Sequence, residues 1–527
     1  MGMGTPVYER KQWKALNYTT YAEAKEKFKW SDRWEVFDGT KDNFNITHEC
    51  VDRHPADEYA LRIKFDTGET ASYTFGQLSR YTSRFANMLV RLGIGEGDRV
   101  AVMLFPSIEF YVTLYGVYKR GAVLIPCFPL FGADAINFRI RNGKVTSLVT
   151  TRDNLHLVDP ELIKEQNIQF IFAEDLIRDL EKERDEFTPH TNYKDLCMIK
   201  FSSGTTGTPK PILYTHGAIS VAAVVIRFAG GLKWDDNYFC CSSPGWGHGI
   251  WYGTISPMIY GKFAGAYSGK FNGKTCLDAL EEFEITNIAG IAAHFRVILE
   301  AGDIASRNLK LRFLTYSGEK MSNELIEGIQ KELGLVPYTQ FGTTEVGPIC
   351  VDYGGFDDWV VKPGSVGKPM VGGLDVVILD DNDNELPPDT IGQVALVKKG
   401  EYVKIGDEAY YDSDGYFWYV GRKDDVIISN GYTIGPIEVE ATVNNHPAVL
   451  ESAVVGAKDR ERGTIVKAYV VLNEGYKPSD ELASEIQQYV KNQLSKHEYP
   501  RAIEFIDELP KTPDGKLKRK VLKERNQ

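Results

Sequence analysis

From Arg99 the chain reads RVAVMLF, then PSIEFYVTLYGVYKRG, then AVLIPCFP. The outer runs are short and apolar, and the middle one has helical length and spacing. The pattern predicts strand, helix, strand, with Pro106 opening the helix and Gly121 closing it. Such a unit implies two parallel strands joined by a right-handed crossover. Short apolar runs recur at SLVTT, IQFIFA, NIAGI and RFLTYS, with helical patterns between them. That alternation predicts an α/β fold with parallel-rich sheets, whose ligands bind at the carboxyl ends of the strands. After about Gly421 the pattern changes. GRKDDVIISNGYTIGP reads as a charged, glycine-rich connector, and ESAVVGA and IVKAYVVL as two strands. SDELASEIQQYVKNQLSK then sets Leu482, Ile486, Val490 and Leu494 on one helix face. The expectation is a large N-terminal α/β domain over 1–421 and a small α+β C-terminal domain over 426–527.

Length agrees, since 527 residues exceed what one core serves. A net charge of −12 argues against a nucleic-acid partner. Seven cysteines without a CxxC pair suit reduced thiols better than a disulfide framework or a zinc site. The N-terminal MGMGTPVYERKQWKALNYTT lacks the apolar core of a secretion signal, and no stretch has the ~18 apolar residues of a membrane span. These features predict a cytoplasmic protein.

Candidate chemistry begins at FSSGTTGTPKPILYTHG, Phe201 to Gly217. The preceding DLCMIKF reads as a strand edge, so this is a turn leaving a strand. Glycines let backbone N–H groups approach a ligand, hydroxyls add donors, and Lys210 adds charge. The combination suits a phosphate chain, although a flexible Gly/Thr turn is the plainer alternative. It is neither a Walker loop, because Pro211 follows Lys210 where a Ser/Thr is needed, nor a G-x-G-x-x-G element.

Taken with later segments, this stretch resembles the adenylate-forming superfamily of acyl-CoA synthetases, peptide-synthetase adenylation domains and firefly luciferase. The likeness runs from YTFGQLSRYTSRFANMLVRLGIGEGDRVAVML to LPKTPDGKLKR. It implies that Ser202, Ser203, Gly204, Thr205, Thr206, Gly207, Thr208 and Lys210 wrap the β/γ-phosphates of ATP. YSGEK resembles the segment flanking adenine, through Ser317, Gly318 and Glu319. QFGTTE resembles the aromatic-Gly-x-Thr-Glu element: Phe341 by adenine, Gly342 and Thr343 in the nucleotide site, Thr344 at the α-phosphate, Glu345 on magnesium. By the same likeness Asp407 accepts from both ribose hydroxyls and Arg422 contacts ribose and α-phosphate. Asp424 is the hinge residue within 422–425, about which the small domain moves. Lys516 is the mobile catalytic lysine, and Gly431 leaves room for the pantetheine arm of CoA. One departure stands out: only KKGEYVKI separates IGQVALV from Gly406-Asp407, shorter than is usual in the family.

The implied chemistry has two halves. A carboxylate attacks the α-phosphorus of ATP and expels pyrophosphate; a thiol then attacks the acyl-adenylate. Lys516, magnesium and the Thr-rich loop would stabilise the first transition state, so no Ser-His-Asp set is required. The expected enzyme is an AMP-forming acyl-CoA ligase using a carboxylic acid, ATP and CoA, with either net direction open and monomer or homodimer undecided. Alternatives are an adenylation enzyme with another acceptor, a luciferase-like oxygenase, and an inactive nucleotide-binding relative. No carrier segment follows the last basic loop in this sequence, which favours a free thiol. His216, His248 and His294 read as structural or pocket-lining. Trp246 and Trp251 are core or acyl-pocket residues, with Trp246 assigned to the acyl group. Acetate-specific relatives carry tryptophan where Gly342 stands, which implies a larger medium-chain, branched, alicyclic or aromatic acid.

Overall fold

A computed structural model describes residues 7–201, 210–318, 321–343, 346–429, 432–459, 463–494, 499–512 and 516–526. The chain forms two compact units. The first comprises Met1–Glu319, Gly328–Pro348 and Asp352–Val360, and the second Lys320–Glu327, Ile349–Val351 and Val361–Gln527.

In the first unit, the strand–helix–strand pattern is realised as Arg99–Met103, Ile108–Arg120 and Val123–Pro126, the strands running parallel. The helix begins later than Pro106. Ser107 caps it, its hydroxyl accepting the Phe110 N–H at 3.3 Å, because serine supplies the acceptor that proline lacks. Gly121 ends it in the left-handed region, at φ 78°. This helix is buried almost all round. Gly116 lets it approach helix Phe75–Arg91, since a Cβ there would lie 2.5 Å from the Phe85 ring. Tyr111 and Tyr115 donate to the carbonyls of Gly253 and Thr254 at 2.9 and 3.1 Å. One sheet orders Gln169–Phe172, Ser147–Thr150, Arg99–Met103, Val123–Pro126, Leu196–Phe201 and Pro211–Thr215, with only the last strand antiparallel. Another places Tyr338–Thr343, Phe313–Ser317, Asn287–Gly290, Tyr238–Cys240, Ala264–Ser268 and Tyr59–Phe65 side by side and parallel, with Thr70–Thr74 antiparallel at its edge.

The second unit contains an antiparallel sheet of Asp375–Leu379, Gly392–Lys398, Glu401–Tyr411 and Phe417–Arg422. The short segment before Gly406-Asp407 is explained here. Lys398 pairs with Glu401, and the intervening Lys399 and Gly400 have φ 53° and 81°. Two such residues make the tight hairpin turn whose twist matches its strands. The segment read as a connector also holds paired strands, Ile427–Ser429 and Tyr432–Ile434. Beyond it, Val449–Asp459, Gly463–Leu472 and Ala502–Phe505 form a sheet buried on both faces. One face packs Val454, Ala468 and Val470 against Val439, Ile486 and Val490 of helices Pro436–Asn444 and Asp480–Gln493. The other packs Val455 and Tyr469 with Leu522 of helix Arg519–Glu524. Alternate residues serving two apolar faces explain why these strands read as unbroken apolar runs. Among the described residues, no helix is long and apolar enough to cross a membrane.

Asp352 is a buried carboxylate of the first unit. Its carboxylate accepts the Thr339 N–H at 3.0 Å and the Trp359 indole N–H at 3.2 Å. Burial pushes its pKa up to about 7, against the pull of those two donors. A pKa raised on folding makes the native state favour the protonated acid, so this contribution is full below about pH 4 and is lost as pH rises through 7. Asp352→Asn should therefore gain on the parent between pH 5 and 8, by as much as roughly 3 kcal/mol. Calorimetric melting of both proteins across that range tests this; a difference in Tm that does not change with pH would refute it.

Candidate active site

Strand Leu196–Phe201 turns back into Pro211–Thr215, and Phe201 and Pro211 are cross-strand partners. The ends of the proposed phosphate loop are thus fixed against each other, and Lys210 is exposed beside the returning strand. Ser202, Ser203, Gly204, Thr205, Thr206, Gly207 and Thr208 lie outside the described residues, as do Glu319, Thr344, Glu345 and Gly431.

The parallel strands of the other sheet bring several predicted segments to one edge. Ser317 ends its strand, and Gly318 follows with φ +94°, a conformation that favours glycine. On the adjacent strand, Phe341, Gly342 and Thr343 occupy the last positions, and the Thr343 hydroxyl accepts the Val346 N–H at 3.2 Å. A Cβ at Gly342 would stand only 2.1 Å from the Gly347 carbonyl oxygen. No side chain fits there without moving the backbone, so close chain approach by itself accounts for this glycine.

Past Tyr238–Cys240 the chain enters SSPGWGHGIWYG. The Trp246 ring packs on Phe128 with centroids 5.1 Å apart, and its buried indole N–H has no partner. A Cβ on Gly247 would lie 2.7 Å from the ammonium of buried Lys200. His248 Nδ1 is 2.9 Å from the Ser242 hydroxyl, and the ring stacks on Tyr252 with centroids 4.7 Å apart. Desolvation draws the His248 pKa down to about 4. It does the same to His216, whose Nδ1 accepts the Ile46 N–H at 3.2 Å. His294 falls to about 3 through desolvation, assisted by His248. All three rings are neutral near pH 7 and would be weak bases. Trp251 packs edge-on against Tyr214. Lys200, Ser242, Tyr252 and Gln340 were not singled out from the sequence. Gln340 stands immediately before Phe341, but only the fold shows which way it faces.

In the second unit, Asp407 and Arg422 are directly opposed on neighbouring antiparallel strands. Arg422 Nη1 reaches Asp407 Oδ1 at 3.1 Å, and the Tyr419 hydroxyl lies 3.5 Å from the same oxygen. Asp407 is nearly buried. Desolvation raises its pKa, while Arg422 works in the opposite direction. A Cβ on Gly406, at φ 79°, would come within 3.1 Å of Arg422 Nη2. The structure thus brings together a carboxylate and a guanidinium that lie fifteen residues apart in sequence. Asp424 is exposed just beyond, in a turn where the Asp425 and Val426 N–H groups bond to the Arg422 carbonyl at 2.8 and 2.9 Å. Lys523, from the last helix, donates to the Asp424 carbonyl and lies 2.7 Å from the Asp425 carboxylate. Lys516 is exposed, on a segment closed by Thr512 N–H to Lys516 carbonyl at 2.8 Å and Lys516 N–H to Thr512 hydroxyl at 3.1 Å. These bonds fix the backbone of the lysine and leave its side chain exposed. Among the described residues, no group of three or more His, Cys, Asp or Glu is placed to hold a metal.

Known proteins resemble the chain over nearly its whole length. The family model described as AMP-binding enzyme matches residues 47–403, and that described as AMP-binding enzyme C-terminal domain matches 438–516. The acetyl-coenzyme A synthetase of Bacillus subtilis is 33% identical, covering 96% of this chain and 95% of that protein. The mouse (Mus musculus) mitochondrial acyl-coenzyme A synthetase ACSM3 is 32% identical, covering 97% and 94%. Among solved structures, a Brucella canis acyl-CoA synthetase matches with TM-score 0.74 and 31% identity over 97% of this chain and 99% of that one. The anthranilate CoA ligase AuaEII, in complex with anthranoyl-AMP, shares the fold with TM-score 0.83 at 24% identity, covering 95% and 99%. The chain belongs to the AMP-binding enzyme family.

Proposed function

We propose that the protein is an AMP-forming acid–CoA ligase, joining a carboxylic acid to CoA through an acyl-adenylate while ATP becomes AMP and pyrophosphate. The observation that carries this reading is the buried Asp407 paired with Arg422, found in a chain whose relatives over nearly its whole length are named acetyl- and acyl-coenzyme A synthetases. In this reading the carboxylate oxygen attacks the α-phosphorus, and the bond to the β-phosphate bridging oxygen breaks. The thiol sulfur of CoA then attacks the acyl carbon and AMP leaves. Asp407 accepts from the two ribose hydroxyls, for which the two oxygens of one carboxylate are suited. Arg422 holds that carboxylate and faces ribose and α-phosphate. The loop ending at Lys210 holds the β/γ-phosphates, and Phe341 lies by adenine. Lys516 brings positive charge to the α-phosphate as negative charge develops there, and the segment carrying it turns about Asp424 between the two half-reactions. Magnesium, assigned to Glu345, would supply charge neutralisation at the phosphates.

The acid is proposed to be larger than acetate. Support comes from the names of aryl-CoA ligases of the same fold, the anthranilate and benzoate CoA ligases, while the relative named acetyl-coenzyme A synthetase speaks for the smaller acid. The tight approach at Gly342 changes how this is tested. Tryptophan there would displace backbone before it reached any ligand, so the substrates must be varied rather than that residue.

Pyrophosphate exchange into ATP with acetate, butyrate, hexanoate, cyclohexanecarboxylate and benzoate, with and without CoA, tests the function. Exchange is expected with the larger acids, and thioester only when CoA is present. Acetate as the best substrate by kcat/KM would overturn the size assignment, and thioester-independent turnover would favour another acceptor. For Lys516→Ala, adenylate formation should fall by about 10²–10³, while thioester formation from supplied acyl-adenylate is largely retained. Equal loss in both half-reactions would remove the separate role of this lysine. Asp407→Ala should weaken ATP binding by about 1.5–3 kcal/mol, the value of a hydrogen bond to a charged group. Titration calorimetry giving unchanged ATP affinity in a folded variant would remove Asp407 from the site.

A further inference from the structure

Four consecutive residues of the second unit, Arg422 to Asp425, are held from two sides. On the side of the antiparallel sheet, Arg422 Nη1 reaches Asp407 Oδ1 at 3.1 Å, and the Lys423 N–H donates to the Gly406 carbonyl at 3.0 Å. The Lys423 ammonium donates to Asp381 at 2.9 Å. On the other side, Lys523 donates to the Asp424 carbonyl, and its ammonium lies 2.7 Å from the Asp425 carboxylate. Among the described residues, the peptide group joining Lys423 to Asp424 takes part in no hydrogen bond. Two backbone bonds span that link, from the Asp425 and Val426 N–H groups to the Arg422 carbonyl.

Lys523 is itself fixed. Its helix, Arg519–Glu524, buries Leu522 beside Val455 and Tyr469, and the Tyr469 hydroxyl donates to the Leu522 carbonyl at 3.2 Å. Arg519 pairs with the Glu440 carboxylate. The Lys523 and Asp425 side chains are only 27% and 20% exposed, so their contact is less screened than a surface ion pair. The bond to a carbonyl has a particular effect. Peptide groups are rigid planes, and the chain turns only at the two backbone bonds of each residue. Rotation about either bond of Asp424 carries its carbonyl along with the residues that follow. Lys523 therefore joins the 424–425 peptide to the C-terminal sheet and helices, as Gly406 joins the 422–423 peptide to the sheet that ends at Arg422. One link between two pinned peptides is left to turn.

We propose that Lys523 is a positioning residue of the reaction: by pinning the Asp424 carbonyl and Asp425 it confines the movement of the C-terminal segment to the Lys423–Asp424 link. This rests on the ligase reading above, with Asp424 as its pivot. The bonds from Asp425 and Val426 to the Arg422 carbonyl are the ones exchanged as the link turns, while the anchors on either side persist. Without Lys523 the freedom spreads to Asp425 and Val426. Each further residue that must be ordered makes a productive placement of the small domain rarer, whether that placement serves adenylate or thioester formation. The competing explanation is an ion pair that contributes to stability alone, which leaves the rate of the folded protein unchanged.

The test uses the full chain with benzoate or hexanoate, whichever the parent turns over, well below the melting temperature of every variant. Lys523→Met keeps the length of the side chain and removes its charge and donors. It should slow adenylate formation and thioester formation from the supplied acyl-adenylate alike, each by about tenfold, the scale of ordering one more backbone residue. ATP affinity by titration calorimetry should stay that of the parent, because Asp407 and Arg422 are untouched. Lys523→Arg, which can donate to the same two oxygens, should restore both rates. Asp425→Asn keeps the carbonyl bond and should give a smaller loss, again equal in both halves; it carries the test if Lys523→Met does not fold. Parent rates in Lys523→Met would overturn the proposal and leave a stabilising ion pair. So would loss of one half-reaction alone, which would make Lys523 a contact of that step, or failure of arginine to restore the rates. If no acid supports pyrophosphate exchange in the parent, the ligase reading falls and this one with it. A working parent with an unaffected variant removes this proposal alone.

Discussion

Parallel strand direction is the constraint on which the first unit depends. When neighbouring strands run the same way, all their carboxyl ends arrive at one edge, and the connections leaving that edge become neighbours whatever their distance in sequence. Tyr238–Cys240, Asn287–Gly290, Phe313–Ser317 and Tyr338–Thr343 lie side by side in this way. The edge therefore collects Ser242 and Trp246 from one connection, His294 from another, Ser317 and Gly318 from a third, and Phe341 from the last. The helices between strands supply the apolar cover, and the edge is left for polar side chains. A hydrogen bond such as Tyr252 to Gln340 spans 88 residues, yet it needs nothing beyond this common direction and register.

The second unit reaches a comparable result with antiparallel pairing. Asp407 and Arg422 oppose each other because the turn from Asp412 to Tyr416 returns the chain into the neighbouring strand, pairing Tyr411 with Phe417. A slip of one residue would turn Asp407 to the other face of its sheet. The burial that raises the Asp407 pKa also makes its ion pair specific, since a buried carboxylate without Arg422 would tend to take up a proton. The shortened segment belongs to the preceding hairpin, which pairs Lys398 with Glu401. The last helix adds a second tie: Arg519 pairs with buried Glu440, and Lys523 with Asp425. Residues at the C-terminal end of the chain thereby hold the backbone next to Asp424.

Much of this was legible in the sequence because it is local. The alternation around Arg99–Pro126 needed only period and length, and the Asp480–Gln493 helix shows its four-residue spacing directly. Ser107 was overlooked in favour of Pro106, although a serine three residues ahead of a free N–H is the stronger cap. The strands on either side of Asn430-Gly431 were hidden by their charged, glycine-rich surroundings, since the stretch carries only a few apolar residues in a row. The sheet from Asp375 to Arg422 was not anticipated either; its strands alternate unevenly and pair by register, which no single segment encodes. Of the candidate site, the glycine- and hydroxyl-rich motifs were visible because their chemistry lies in consecutive residues. Gln340 and Tyr252 were not, because a glutamine and a tyrosine far apart in sequence meet only in the fold.

At Gly342 a local reading meets a second explanation. A glycine in place of a bulky side chain suggests space for a ligand. Here the space is already filled by the chain itself, with the Gly347 carbonyl standing where a Cβ would be. The backbone at that point needs glycine whether the acid is large or small. On the proposed reading, discrimination among acids falls to side chains and not to room at Gly342. Apolar walls alone distinguish acids weakly, at about 0.8 kcal/mol per buried methylene. Unpaired buried donors distinguish them more sharply, because the wrong acid leaves them without a partner. On this argument a polar side chain facing the acid would govern which acid is accepted more than the room left by a missing side chain.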